Sequence, residues 1–217
     1  MSREHDAMLE RLKAYEERFR LILGMNGLDG EIALGSFPGM HLHGSPAAIS
    51  YDVRRVDDKF QIENLQLPNG MLIPLIDVDV NNFVVALPKA RKSTALISIA
   101  KPSLTLLRES FLLPADCYDL YNDIAEVSDD VLDGVVAHEV GHYLYREKRV
   151  PGKVKYVLRT RGGLRDSSHA HAGIDIIGSY VVSSRAILSA LEYLKSHDPE
   201  SVDLDVRIKQ VELYGLN

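Results

Sequence analysis

The sequence predicts an α+β fold. A mixed sheet packs on a helix carrying two histidines and a glutamate, and a second helix follows that can bring further ligands. An N-terminal helix and a small β layer precede them. Three observations predict this. Short alternating runs punctuated by glycine and proline fill residues 28–100, the pattern of strands joined by tight turns. His138-Glu139-Val140-Gly141-His142 lies inside a helical pattern. A long apolar stretch bearing His171 and Asp175 then repeats at helical spacing.

Taken in order, residues 3–23 form an amphipathic helix. Met8, Leu9, Leu12, Tyr15, Phe19, Ile22 and Leu23 share a face, and Gly24 and Gly27 end it. That face docks on the domain, the simpler reading, or pairs two copies as a homodimer. Residues 48–53, 59–63, 72–78, 83–87 and 95–100 alternate as strands, with Pro68-Asn69-Gly70 as a turn. Pro102 opens a helix through Phe111. Ser128 is a good N-cap for a helix over 128–147, Asp129 and Asp130 suit its positive end, and Pro151-Gly152 stops it. Residues 152–166, basic and glycine-rich, read as a loop. One long helix is expected from Ser167 or Ser168 to about Lys195, and a short one over 202–214. The chain divides into residues 1–70, an N-terminal extension or lid, and residues 71–217, the main domain.

Composition narrows the function. The chain has 217 residues, 46% of them apolar, and a net charge of −6, so a sizeable core is possible and a nucleic-acid partner is not expected. A single cysteine, Cys117, excludes a disulfide framework and fits a reducing compartment. It reads as a buried small apolar residue rather than as a latency switch. No secretory signal and no run of about 18 apolar residues is present, so a soluble cytoplasmic protein is expected.

The chemistry is carried by H-E-x-x-H. Two histidines four apart on a helix lie one above the other, so both imidazoles can hold one zinc ion, and Glu139 beside them can act as general base on a metal-activated water. The expected reaction is metal-assisted hydrolysis of a peptide bond. A catalytic zinc needs a third protein ligand. His171 ranks first, after His138 and His142. Asp175, one turn further on, then accepts the remaining ring N–H of a ligand histidine. Asp175 as ligand is the main alternative, and His169 ranks last. His41 and His43 share a strand face but read as ordinary surface or hydrogen-bonded histidines.

The order of these features resembles the HtpX and CAAX-prenyl-endopeptidase family of zinc peptidases, which are gluzincins with a zincin-like metallopeptidase domain. Asn81-Asn82-Phe83-Val84 is similar to that family's Asn-Ala-Phe segment. His171 and Asp175 fall where its Glu-x-x-x-Asp lies, and Gly178 matches a small residue that often follows. His197-Asp198-Pro199 and Arg207-Ile208 are similar to its His-Pro segment and Arg-Ile pair. The resemblance spans roughly residues 70–210. It implies a zinc endopeptidase acting on a peptide or protein, with Asn81 holding substrate backbone and His197 stabilising the oxyanion; Tyr143 and Tyr180 are weaker candidates for that task. The chain departs from the family in having a histidine at the third-ligand glutamate and in lacking the family's membrane helices. A catalytically inactive or latent relative, acting as a binding or regulatory module, is the alternative.

Overall fold

The computed structural model describes residues 3–28, 31–36, 47–56, 59–61, 65–66, 72–73, 78–79, 93–99, 127–160, 167–200 and 201–215. The expected strand over 83–87, the helix opened by Pro102, and His41, His43, Asn81 and Cys117 lie outside them. The chain divides into two compact units, Met1–Glu126 and Val127–Asn217.

In the first unit, helix α1 (Arg3–Met25) is followed by strands β1 (Ile32–Ser36), β2 (Ala47–Val56), β3 (Lys59–Gln61), β4 (Leu65–Gln66), β5 (Leu72–Ile73), β6 (Val78–Asp79) and β7 (Ser93–Ile99). Five strands form a mixed sheet in the order β1-β7-β2-β3-β6; β4 and β5 pair separately. β1 runs parallel to β7, and the other pairs are antiparallel. Because β7 lies between β1 and β2, the sheet continues across residue 70, where a domain boundary was expected. Period-two burial explains its inner face: Ile32 and Leu34 of β1 lie level with Ala95 and Ile97 of β7, and all four are buried. Tyr15, Phe19 and Leu23 of α1, spaced by four, are buried too, and α1 packs on β1. Gly27, at φ +64, turns the chain after α1, a conformation that favours glycine.

The second unit is helical among its described residues: α2 (Asp129–Arg146), α3 (Gly152–Thr160), α4 (Ser167–Val181), α5 (Ser184–His197) and α6 (Val202–Tyr214). Ser128 caps α2 by accepting from the Val131 N–H. After α2, Lys148 takes φ 56 and the Arg149 N–H bonds back to the Leu144 carbonyl, which closes the helix end.

Two expectations need correction here. Residues 152–160, expected as loop, form α3. Their charges lie outward, while Val154 and Leu158, four apart, are buried. The expected single helix over 167–195 is two helices. Ser183 adopts an extended backbone and its hydroxyl accepts from the Ala186 N–H, so a local cap restarts the chain as α5. The apolar pattern runs through this break because both helices bury a face in the same unit.

Helix α2 packs on both α4 and α5, and small residues fix how closely. A Cβ at Gly134 would stand 2.1 Å from the Ala186 carbonyl oxygen, one at Gly141 2.8 Å from the Ile174 carbonyl oxygen, and one at Gly178 3.0 Å from the Ala137 carbonyl oxygen. Gly141 lies within H-E-x-x-H itself, so the motif's own glycine is where α4 crosses. That crossing brings His171 and Asp175 beside His138 and His142.

Among the described residues, no helix is long and apolar enough to cross a membrane.

Candidate metal centre

His138 and His142 lie one turn apart on α2, and their Nε2 atoms face each other at 3.2 Å. Two imidazole nitrogens on one tetrahedral zinc, each ~2.0–2.1 Å from it, stand roughly 3.3–3.4 Å apart. The separation across the pair is therefore that of two donors to one ion. The third ring, His171 on α4, has its centroid 5.8 Å from each of the other two, and meets both edge-on. His171 is exposed, whereas His138 and His142 are partly covered. Among the described residues, no three His, Cys, Asp or Glu side chains close into a ready metal cage. Two nitrogens converge, and the third imidazole stands at the open side.

The other face of His138 is fixed. Its Nδ1 lies 2.6 Å from Oδ1 of Asp175, whose side chain is 1% exposed. Arg207 of α6 holds the same carboxylate with two donors, Nε to Oδ2 at 2.7 Å and Nη2 to Oδ1 at 3.1 Å. A carboxylate so placed takes the Nδ1 proton as its hydrogen bond, leaving the lone pair on Nε2, toward His142. Arg207 Nη2 also comes within 3.4 Å of His138 Nδ1. Both atoms are then donors converging on one oxygen, so their approach is not a bond between them.

Electrostatics keep the His142 and His171 imidazoles uncharged. Burial, with the neighbouring His138 and His171, pushes the His142 imidazole down to about 3. Burial and His138 lower His171 as well. These rings are neutral at pH 7 and keep their lone pairs. For Asp175 burial alone would favour the neutral acid; the charge and hydrogen bonds of His138 and Arg207 overcome it, and the carboxylate sits well below its usual range. Asp175, with Glu139 and Asp203, raises Arg207 against its own burial. Glu139 is itself buried, at 6% exposure.

His197 ends α5; its Nδ1 lies 2.8 Å from the Tyr193 carbonyl oxygen, and its ring meets Tyr193 edge-on at 4.6 Å. From the C-terminal helix, Arg207 is tied into the histidine cluster through Asp175. Tyr143 is partly covered on α2, and Tyr180 is 44% exposed on α4. His169 lies in α4, with its side chain outside the described set. Arg207 was legible in the sequence only as half of an Arg-Ile pair; a lone arginine on an amphipathic helix gives no sign that it reaches a carboxylate 32 residues away.

Compared with protein-family models, with curated proteins and with solved structures, the chain finds no match.

Proposed function

We propose that the chain is a soluble, cytoplasmic zinc-dependent endopeptidase with a zincin-like domain similar to the HtpX and CAAX-prenyl-endopeptidase family, hydrolysing a peptide or protein substrate. The observation that carries this is the convergence of His138 Nε2 and His142 Nε2 at 3.2 Å, with Asp175 on the far nitrogen of His138. His138, His142 and His171 would hold the ion, a donor set of neutral imidazoles that suits zinc. Bound there, zinc supplies Lewis acidity that activates water and polarises the scissile carbonyl.

The protein's own groups do the rest. Glu139, one residue on from His138, accepts a proton from the attacking water and passes it to the leaving amine. Asp175 fixes the tautomer and orientation of His138. His171, at the exposed side, completes the ligand set and borders the approach of substrate. Oxyanion stabilisation by His197, and substrate holding by Asn81, belong to the same proposal through the resemblance alone.

The test is direct. Purified protein is expected to carry about one zinc per chain by elemental analysis and to cleave unfolded casein. Glu139→Gln should keep the zinc and lose the cleavage. Turnover retained in that variant would remove Glu139 from the chemistry.

A second reading keeps the ion and drops the reaction: a latent or inactive zincin-like module that binds a partner. Its basis is His171, which stands where the resembled family has its third-ligand glutamate. Zinc bound with no cleavage of any unfolded substrate, in wild type and Glu139→Gln alike, would select it.

A further inference from the structure

We propose that Arg207 is a positioning residue for the metal centre, and that through it docking of the C-terminal helix α6 and metal binding are coupled. The inference rests on the reading of His138 as a metal ligand. Its basis is a relay across three helices. Arg207 of α6 holds both oxygens of Asp175 on α4, and Asp175 Oδ1 receives Nδ1 of His138 on α2.

The geometry leaves little freedom. A carboxylate on a short side chain can rotate about its last torsion, and one donor would leave that rotation open. Two donors from a planar guanidinium fix the carboxylate plane. With the plane fixed, Oδ1 points one lone pair at Arg207 and the other at His138. The imidazole is then held with Nε2 toward His142. Lysine, a single point donor on a flexible stem, cannot fix the plane in this way.

Arg207 is delivered to this place by its helix and by little else. Its side chain is 11% exposed. Asp203, one turn earlier, lies 3.9 Å from its Nη1. Helix α6 is seated on α4 and α5, with Leu204 and Val211 buried beneath it. Its start is fixed by the Ser201 cap and by Lys195 of α5, which reaches both the Ser201 carbonyl and Asp205 at 2.9 Å. Undocking of α6 therefore withdraws the guanidinium and frees Asp175 to turn. Linkage then works in both directions: if a docked α6 raises metal affinity by some factor, bound metal stabilises the docked helix by the same factor.

The experiment uses the full chain, with zinc itself as the probe. In metal-free wild-type protein, a low-field ring N–H proton signal from His138 is expected, and it should be lost in Arg207→Met. A retained signal in that variant overturns the positioning role whether or not zinc binds. Zinc affinity is then measured by competition with a chromophoric chelator. Arg207→Met is expected to weaken it about 10–100-fold, the range for residues that orient a ligand, with Arg207→Lys in between. Wild-type affinity in a cooperatively folding Arg207→Met overturns the inference and leaves the zinc reading standing. No zinc binding in wild type overturns the zinc reading itself.

Leu204→Ala tests the coupling without touching the relay, and covers the case in which Arg207→Met fails to fold. It should weaken zinc several-fold and speed amide exchange over residues 202–214. In wild type, zinc should slow exchange over the same residues. Exchange there unmoved by zinc overturns the coupling.

Discussion

His138 and His171 stand in one cluster of rings, yet the fold holds them in opposite ways. His138 is 17% exposed, with its outer nitrogen on a carboxylate that is 1% exposed and gripped by an arginine. His171 is exposed, in the second turn of α4. The first imidazole is preorganised and the second is presented. In the proposed metal site this arrangement would hold His138 in place before any ion arrives and leave His171 to close on it. It also separates stability from binding: changes on the His138 side should disturb both, and changes at His171 should disturb binding alone.

The largest expected effect on folding is on the fixed side. Asp175→Ala removes the carboxylate and leaves the Arg207 guanidinium buried without it. Breaking one partner out of such a buried pair costs about 3–5 kcal/mol. Chemical denaturation should register a loss of that order, together with weaker zinc binding. A change under about 1 kcal/mol would mean that the pair contributes little beyond what water would supply.

The next effect comes from the helix crossing. Gly141→Ala places a methyl 2.8 Å from the Ile174 carbonyl oxygen, a backbone atom that cannot swing away. α4 has to move off α2, at a cost of about 1–3 kcal/mol for an overpacked contact. The same shift carries His171 and Asp175 away from the α2 histidines, so zinc affinity should fall as well. Gly152→Ala, where a Cβ meets nothing within 4 Å, is the control and should change neither.

These two positions show what was legible in the sequence and what was not. H-E-x-x-H, its helix and the Ser128 cap could be read because each is a local pattern: spacing of four and a hydroxyl before an apolar stripe. The expected stop at Pro151-Gly152 was not the one used, since the helix closes at Lys148 and Arg149 and Gly152 opens α3. His171 and Asp175 were legible as a pair for the same reason. Their placement beside His138 was not a local property. It depends on Gly141 and Gly178 letting two backbones approach, and a glycine inside a helix carries no label saying what crosses there. Arg207 was missed as a site residue because its partner lies on another helix. The loop expected at 152–166 failed over 152–160 through weight given to charge: Lys153, Lys155 and Arg159 are exposed as their charge suggested, but Val154 and Leu158 on the opposite side were enough to make α3. The break at Ser183 was hidden because the apolar pattern crosses it, while the signal that mattered was one serine in a cap.

Acid should act on the fixed side next. The His142 imidazole is pushed from its usual 6.5 to about 3 in the folded chain. Between those values the unfolded chain takes up a proton that the folded chain refuses, so stability is full above pH 6.5 and falls as the pH drops toward 3. The slope has a ceiling of about 1.4 kcal/mol per pH unit. Asp175, held below its usual range, adds a loss of the same sign at the acid end. Melting temperatures from pH 7.5 to 4.5 should therefore decline, and less steeply in His142→Gln. Parallel curves for the two proteins would show that His142 is not held neutral by the fold.

The smallest effect on folding is expected at His171, and it is the most informative for the contrast between the two imidazoles. His171→Ala removes an exposed ring in an early turn of α4, a surface change within about 0.5 kcal/mol. Its denaturation curve should overlay that of the wild type. Its bound zinc should nevertheless fall toward zero, because two imidazoles on one helix hold the ion far less tightly than a set of three. His171→Glu should restore binding, since a carboxylate is also a zinc ligand, whereas His171→Gln should not. Full zinc occupancy in His171→Ala would instead pass the third ligand to Asp175 or His169. For Asp175 that would require the carboxylate to leave His138 and Arg207, and such a rearrangement would itself lower the stability that this variant is expected to keep.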